Sequence, residues 1–273
     1  MSSAIVVDGS ISPTGHPLVA SYSVTAPSGA TVDVEFGPDT SYGRRTSSQP
    51  APPGGGRTAV LVAGMRAASA YHMRARIVLA DGSVVWDRDQ VFQTGPLPSG
   101  IMPMVTTQTF SPAVSPGVEL INIITPSFVS VAVDLSGEII WYYHDPADDA
   151  WQGYAFPIRP LPNGHMLASV TNIYNTQPNA APTSAALPNT ALPNPDPPAP
   201  PPILPAPWSV LREVDLAGQT VVNASGPRSL TIAQLNARLE TVPTARGTIV
   251  TASFFEHDVL PLSNGHVILL VRH

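Results

Sequence analysis

Near the end of the 273-residue sequence a histidine and an aspartate stand side by side, His257-Asp258 in "FFEHDVLPLSNGHVILLVRH". Imidazole titrates near neutral pH and serves as general base, nucleophile or anion-binding donor, and an adjacent carboxylate favours its charged form. The same two residue types also close local turns, so the dipeptide alone leaves both readings open. A second cluster, Trp141-Tyr142-Tyr143-His144-Asp145, sets three aromatics ahead of another His-Asp pair. It reads either as the floor of a pocket for an aromatic ligand or as strand residues packed in a core. His257 and His266 stand nine residues apart across a hairpin with no third ligand, so no metal is expected. There is no Gly-x-Ser-x-Gly elbow, no phosphate-cradling glycine loop and no His-Glu-x-x-His helix, and no cofactor is expected. The absence of cysteine removes thiolate nucleophiles and Cys-ligated zinc.

Internal repetition separates scaffold from site, because a residue the fold demands recurs in each copy. "RPLPNGHMLASV" (159–170) matches "LPLSNGHVILLV" (260–271) at an offset of 101 residues. "VDLSG" (133–137) matches "VDLAG" (214–218) at an offset of 81. His165 and His266 fall at the same place after Asn-Gly and are assigned to the turn. His257 and Asp258 fall opposite Phe156 and Pro157, so the scaffold does not ask for them. Each copy is expected to be a strand, an Asp-x-x-Gly turn, a strand, and a hairpin closed by a type I′ Asn-Gly turn.

The elements that must position these groups are β-strands. "TVDVEFG" (31–37) alternates Val32, Val34 and Phe36 with Asp33 and Glu35. "YHMRARIVL" (71–79) alternates Tyr71, Met73, Ala75, Ile77 and Leu79 with His72, Arg74 and Arg76. Such alternation gives one core face and one wet face. With "LVASYSV", "RTAVLVAG" and "SVVWDRDQVF", residues 1–98 form the pattern of an antiparallel sandwich. "GMRAASAYHMRA" resembles the corner of a fibronectin type III domain, in which a tyrosine, here Tyr71, bonds back to upstream backbone. "TGPLPSGIMP" (94–103) has linker composition and puts a domain boundary before 104.

From 104 to 273 two insertions interrupt the repeat. The first, 176–207, holds 12 prolines in 32 residues and is expected to be an extended surface loop. Without it the offset of 81 shrinks to 49 residues, near the ~40 to 50 of a four-stranded propeller blade. The second, "LTIAQLNARLE" (230–240), spaces Leu230, Ile232, Leu235 and Leu239 as a short amphipathic helix. The expected fold is all-β: a fibronectin type III-like sandwich over 1–98, then the first blades of a β-propeller over 104–273. Two blades are fewer than the roughly four needed to close a propeller, so the sequence is expected to be the N-terminal part of a longer protein or a truncated gene product.

Composition narrows the partners. The net charge is −6 and all 13 basic residues are arginine, with no basic stripe, so nucleic acid is not an expected partner. No stretch reaches about 18 uninterrupted apolar residues, so no membrane span is expected. "MSSAIVVDGSISPTGHP" has no basic segment followed by an apolar one, the pattern of a secretion signal.

In this order, "FGPDTSYGRRT", "FQTGPLP", "VAVDLSGEIIWYY", "PLPNGHMLASV", "LREVDLAGQTVV" and "EHDVLPLSNGHVILLV" resemble the arylsulfotransferase family, bacterial enzymes that need no nucleotide sulfate donor. The resemblance implies a six-bladed propeller and ping-pong transfer of a sulfuryl group from an aryl sulfate to a phenol through a sulfated channel histidine. It implies that His257 binds sulfuryl or phenolate oxygen and takes part in proton transfer. It puts the sulfated histidine, an arginine and a further histidine in later blades, so these 273 residues alone are expected to be inactive. Family members are exported, which implies a periplasmic or secreted location. The alternative is a non-catalytic binding or adhesion module.

Overall fold

The computed structural model describes residues 8–108, 115, 117–123, 129–144, 153–172, 209–225, 228–230, 250–252, 254–262 and 267–272. The side chains of 153–154, 171–172, 209–210, 223–225, 228–230, 250–252, 254–257 and 267–272 lie outside the description, as do the proline-rich insertion, Asp145 and His266. The fold is all-β, with antiparallel pairing wherever a register is defined. Of the segment expected to be helical, Leu230 ends a short strand and 231–240 lie outside the described residues. Among the described residues no helix is long and apolar enough to cross a membrane.

The first nine strands are β1 (Ser10–Pro13), β2 (Ala20–Ala26), β3 (Thr31–Gly37), β4 (Arg44–Arg45), β5 (Gln49–Pro50), β6 (Gly56–Val62), β7 (Ala70–Val78), β8 (Val84–Trp86) and β9 (Gln90–Gln93). They make two sheets, one ordered β1-β2-β6 and one ordered β4-β3-β7-β8, with β5 paired to β3 and β9 to β7. Alternation decides what each sheet buries. Tyr71, Met73, Ala75 and Ile77 of β7 join Val32, Val34 and Phe36 of β3 and Tyr22, Val24, Val60 and Val62 from the other sheet in one core. The Tyr71 hydroxyl accepts the Arg66 backbone N–H at 3.0 Å, so the corner before β7 is tied to its own tyrosine.

The wet face of the second sheet carries ion pairs across the ladder. Glu35 lies opposite Arg74 and accepts two bonds from it at 2.8 and 2.9 Å, and the Arg74 guanidinium stands 4.6 Å from the centre of the Tyr42 ring. Asp33 departs from simple alternation. Although it points to the wet face it is only 1% exposed, because Arg76, Ser48 and Arg45 cover it.

Beyond these, β10 (Val118–Ile123), β11 (Val129–Asp134) and β12 (Ile139–Tyr143) form a sheet in that order. Next, β13 (Gly153–Pro160), β14 (Met166–Asn172), β15 (Ser209–Val214) and β16 (Thr220–Ser225) form a four-stranded meander in sequence order. Two hairpin-like pairs complete the chain, β17 (Arg228–Leu230) with β18 (Val250–Ala252), and β19 (Phe254–Pro261) with β20 (Val267–Arg272). The chain divides into two compact units, Met1–Glu119 with Ala132–Tyr142, and Leu120–Val131 with Tyr143–His273.

Two local expectations change. The expected unit began with the Asp-x-x-Gly hairpin and ended with the Asn-Gly hairpin, but the meander β13–β16 begins with Asn-Gly and ends with the second Asp-x-x-Gly. The described Asn-Gly turn also differs from type I′, while the second, at 263–266, lies outside the described residues. Around Asn163-Gly164, the Gly164 N–H donates to the Leu161 carbonyl, Leu161 N–H donates to the His165 carbonyl, and only Gly164 takes positive φ, at 86°. That is a type I turn followed by a bulged glycine, which needs a left-handed conformation at one residue. The same pair of bonds recurs at Asp134–Glu138 and Asp215–Gln219, with Gly137 and Gly218 at 86° and 80°. In both, the aspartate Oδ1 also accepts a backbone N–H four residues on, which explains aspartate at the first position.

Candidate functional site

The 101-residue repeat is a repeat of register. Ile158, Arg159 and Pro160 pair with Ala168, Leu167 and Met166, and Val259, Leu260 and Pro261 pair with Leu269, Ile268 and Val267. Every one of these pairs is displaced by 101 from its counterpart. Immediately upstream both ladders break. In the first copy the register shifts between Ala155 and Ile158, leaving Phe156 and Pro157 across from Ser169 alone. In the second it shifts between Phe255 and Val259, leaving Glu256, His257 and Asp258 across from Leu270. A bulge bends its strand and re-aims the side chains it contains, and bulges gather next to functional sites. The His-Asp pair therefore occupies a backbone irregularity that the scaffold repeats, and the second copy adds one residue to it.

Asp258 has a partner from the first hairpin. Arg159 Nη2 donates to Asp258 Oδ1 at 3.0 Å, and the Val259 N–H donates to the same oxygen at 2.8 Å. The Arg159 hydrogen bond, followed by that of Val259, holds the Asp258 carboxyl below the usual carboxylate range. Both side chains are about half exposed, so the pair fixes geometry more than it adds stability. His257 lies in β19, and its side chain is outside the described residues. Its equivalent in the first copy, Phe156, is 39% exposed, so this position is not a core position of the scaffold.

His165 belongs to its turn. Its N–H donates to Asn163 Oδ1 at 3.0 Å, while Glu213 Oε1 lies 2.6 Å from His165 Nδ1 and accepts Asn163 Nδ2 at 2.9 Å. Glu213 on β15 thereby ties the turn of β13–β14 to the next strand. In the aromatic cluster, Trp141 and Tyr143 are each 4% exposed, so those two rings are packed rather than displayed.

Tyr143 leads to a residue that sequence reasoning passed over. Arg212 on β15 is 1% exposed and donates from Nη1 to the Tyr143 hydroxyl at 2.7 Å. It stands opposite Ala168, which stands opposite Ile158, so the guanidinium starts from a row whose other two members are fully buried. The signal was present: Arg212 sits between Val210 and Val214 at the apolar parity of "SVLREV", and the 81-residue offset puts it opposite Val131, itself fully buried. An interior guanidinium is a permanent charge with donors in a fixed plane, suited to an anionic oxygen. β19, which carries His257, packs against β13, β14 and β15. No group of three histidine, cysteine or acidic side chains able to hold a metal occurs among the described residues.

Comparison with protein-family models, with curated proteins and with solved structures returns no match.

Proposed function

We propose that this chain is arylsulfotransferase-like: a fibronectin type III-like sandwich followed by propeller blades, in which His257 engages a sulfuryl or phenolate oxygen. The substrates on this reading are an aryl sulfate donor and a phenolic acceptor, with the sulfuryl group carried on a histidine. The observation that carries the reading is the bulge of β19, where His257 replaces the Phe156 of an otherwise register-matched hairpin. The two sheets β1-β2-β6 and β4-β3-β7-β8, the Tyr71 corner and the meander β13–β16 support it.

The test is binding and turnover with 4-nitrophenyl sulfate. Calorimetry is expected to detect binding to the 273-residue chain and its loss in His257→Phe, a substitution patterned on the first copy. Equal affinity in the variant would remove His257 from the site. No release of 4-nitrophenol is expected from this chain alone, because the resemblance assigns the sulfated histidine to other blades; sustained release would refute that assignment.

A binding module remains the second reading because of one feature. Trp86 and Val91 are 48% and 59% exposed on strands of the second sheet, and Trp86 flanks Arg74 at 5.7 Å. Aromatic and arginine side chains concentrate in protein-binding surfaces. Retention of a partner by the wild type and its loss in Trp86→Ala, with no aryl sulfate binding by either, would favour that reading.

A further inference from the structure

The hairpin Asp134–Tyr142 meets the body of the first unit at two places. At its turn, Arg66 donates from Nε and Nη2 to Asp134 Oδ2 at 3.0 and 2.7 Å, while the Arg66 backbone is pinned by Tyr71 and Thr94. At its other end, His16 Nε2 lies 3.0 Å from the Tyr142 carbonyl oxygen, a contact 126 residues apart in sequence. The His16 ring is 5% exposed and its centre lies 4.2 Å from that of Tyr142.

The partners of His16 fix its tautomer. A carbonyl can only accept, so Nε2 carries the proton. The Leu18 N–H points at Nδ1 from 3.1 Å and can only donate, so Nδ1 must be bare. A proton added at Nδ1 would face the Leu18 N–H and destroy that bond. We propose that His16 is an acid-released latch: in its neutral form it fastens the hairpin Asp134–Tyr142 to the rest of the first unit, and protonation undocks the hairpin.

Among the described residues no carboxylate lies against the ring, and the cation is favoured only by backbone groups such as the Tyr142 carbonyl. On its own segment the neighbours are Thr14, Leu18 and the Pro17–Gly95 backbone bond, and on the hairpin they are Trp141 and Tyr142. Burial raises the Tyr142 phenol, which therefore stays neutral. The hairpin carboxylates Asp134 and Glu138 interact with Arg66. Burial lowers His16 to about 4, only partly offset by its hydrogen bond to Tyr142. The docked value lies below the ordinary one, so docking is complete above about pH 6.5 and is lost as pH falls toward about 4. Asp134 does not act in that window. Burial would raise it, but Arg66 and the N–H groups of Glu138 and Ser136 outweigh burial and keep it below the usual range.

The experiment is hydrogen exchange of the Asp134–Tyr142 amides in the full chain, corrected for the intrinsic pH dependence of exchange. Protection is expected to fall about 30-fold from about pH 7.5 to about pH 5, tenfold for each unit below the ordinary histidine value. His16→Gln, which keeps a donor near Nε2 but cannot titrate, is expected to flatten that slope whatever its starting protection. Arg66→Gln is expected to lower protection evenly across the window and leave the slope intact. Flat wild-type protection, or an unchanged slope in His16→Gln, overturns the latch.

Discussion

Hairpins β13–β14 and β19–β20 pair in the same register for three consecutive positions and bulge at the same place, yet one bulge holds Phe156-Pro157 and the other His257-Asp258. The Asp-x-x-Gly hairpins differ in the same manner: both turns carry the same two backbone bonds, while the apolar Val131 of one is replaced by Arg212 in the other. Repetition marks what the backbone requires, and the replaced residues mark where a second copy is free to acquire chemistry. Both replacements lie in the second copy. Arg159, from the first hairpin, bonds to Asp258 in the second, so the copies are also joined at the bulge.

Substitutions can break this comparison at graded cost. The largest effect is expected at Arg212. Arg212→Ala removes a buried side chain and its bond to Tyr143, and should destabilise by about 3 to 4 kcal/mol in urea unfolding. A loss below about 1 kcal/mol would mean that the guanidinium is not held as the geometry indicates. Next come the paired positions Ile158 and Val259, both fully buried beside their bulges. Ile158→Ala should cost about 3 kcal/mol and Val259→Ala about 2 kcal/mol. If Val259→Ala were silent, the two hairpins would share register without sharing packing.

Smaller effects test the turns and the surface. Gly164→Ala and Gly218→Ala force a side chain into the left-handed region, at about 1 kcal/mol each, and thermal midpoints should fall by similar amounts. Unequal losses would separate two turns that now look alike. The smallest change is expected from Arg159→Ala, which should leave the unfolding midpoint where it is. Its signature is a titration: the Asp258 carboxyl, now held low, should rise toward the ordinary range when followed by NMR. The sign follows from a lowered folded value, since what little the pair contributes is present above the ordinary carboxylate range and lost as pH falls. An unmoved Asp258 would mean that the Val259 N–H alone accounts for its acidity.

Much of the scaffold was legible because period-2 alternation and turn chemistry are local. Tyr71, Met73, Ala75 and Ile77 go inward as their spacing predicts, and the glycines of Asp-x-x-Gly and Asn-Gly take the positive φ that no side chain favours. The details that failed depend on how a segment meets its neighbours. Asn163-Gly164 permits either a type I′ turn or a type I turn with a bulged glycine, and the Leu161 and His165 bonds select the second. The dipeptide His257-Asp258 could be singled out from the offset of 101, but not the fact that it occupies a bulge, nor that Asp258 answers to Arg159, 99 residues away.

The sequence by itself determined the alternating strands β2, β3, β6 and β7, where the Asp-x-x-Gly and Asn-Gly turns fall, and which residues the repeat leaves unexplained, because those properties follow from side-chain spacing and the torsions each residue tolerates. Tertiary structure decided which hairpins share a sheet, that Asp33 and Arg212 are buried despite their charge, and that His16 meets Tyr142 across 126 residues. Those outcomes depend on contacts between distant segments, whose energies are set only when burial removes water and each buried polar atom must find its partner.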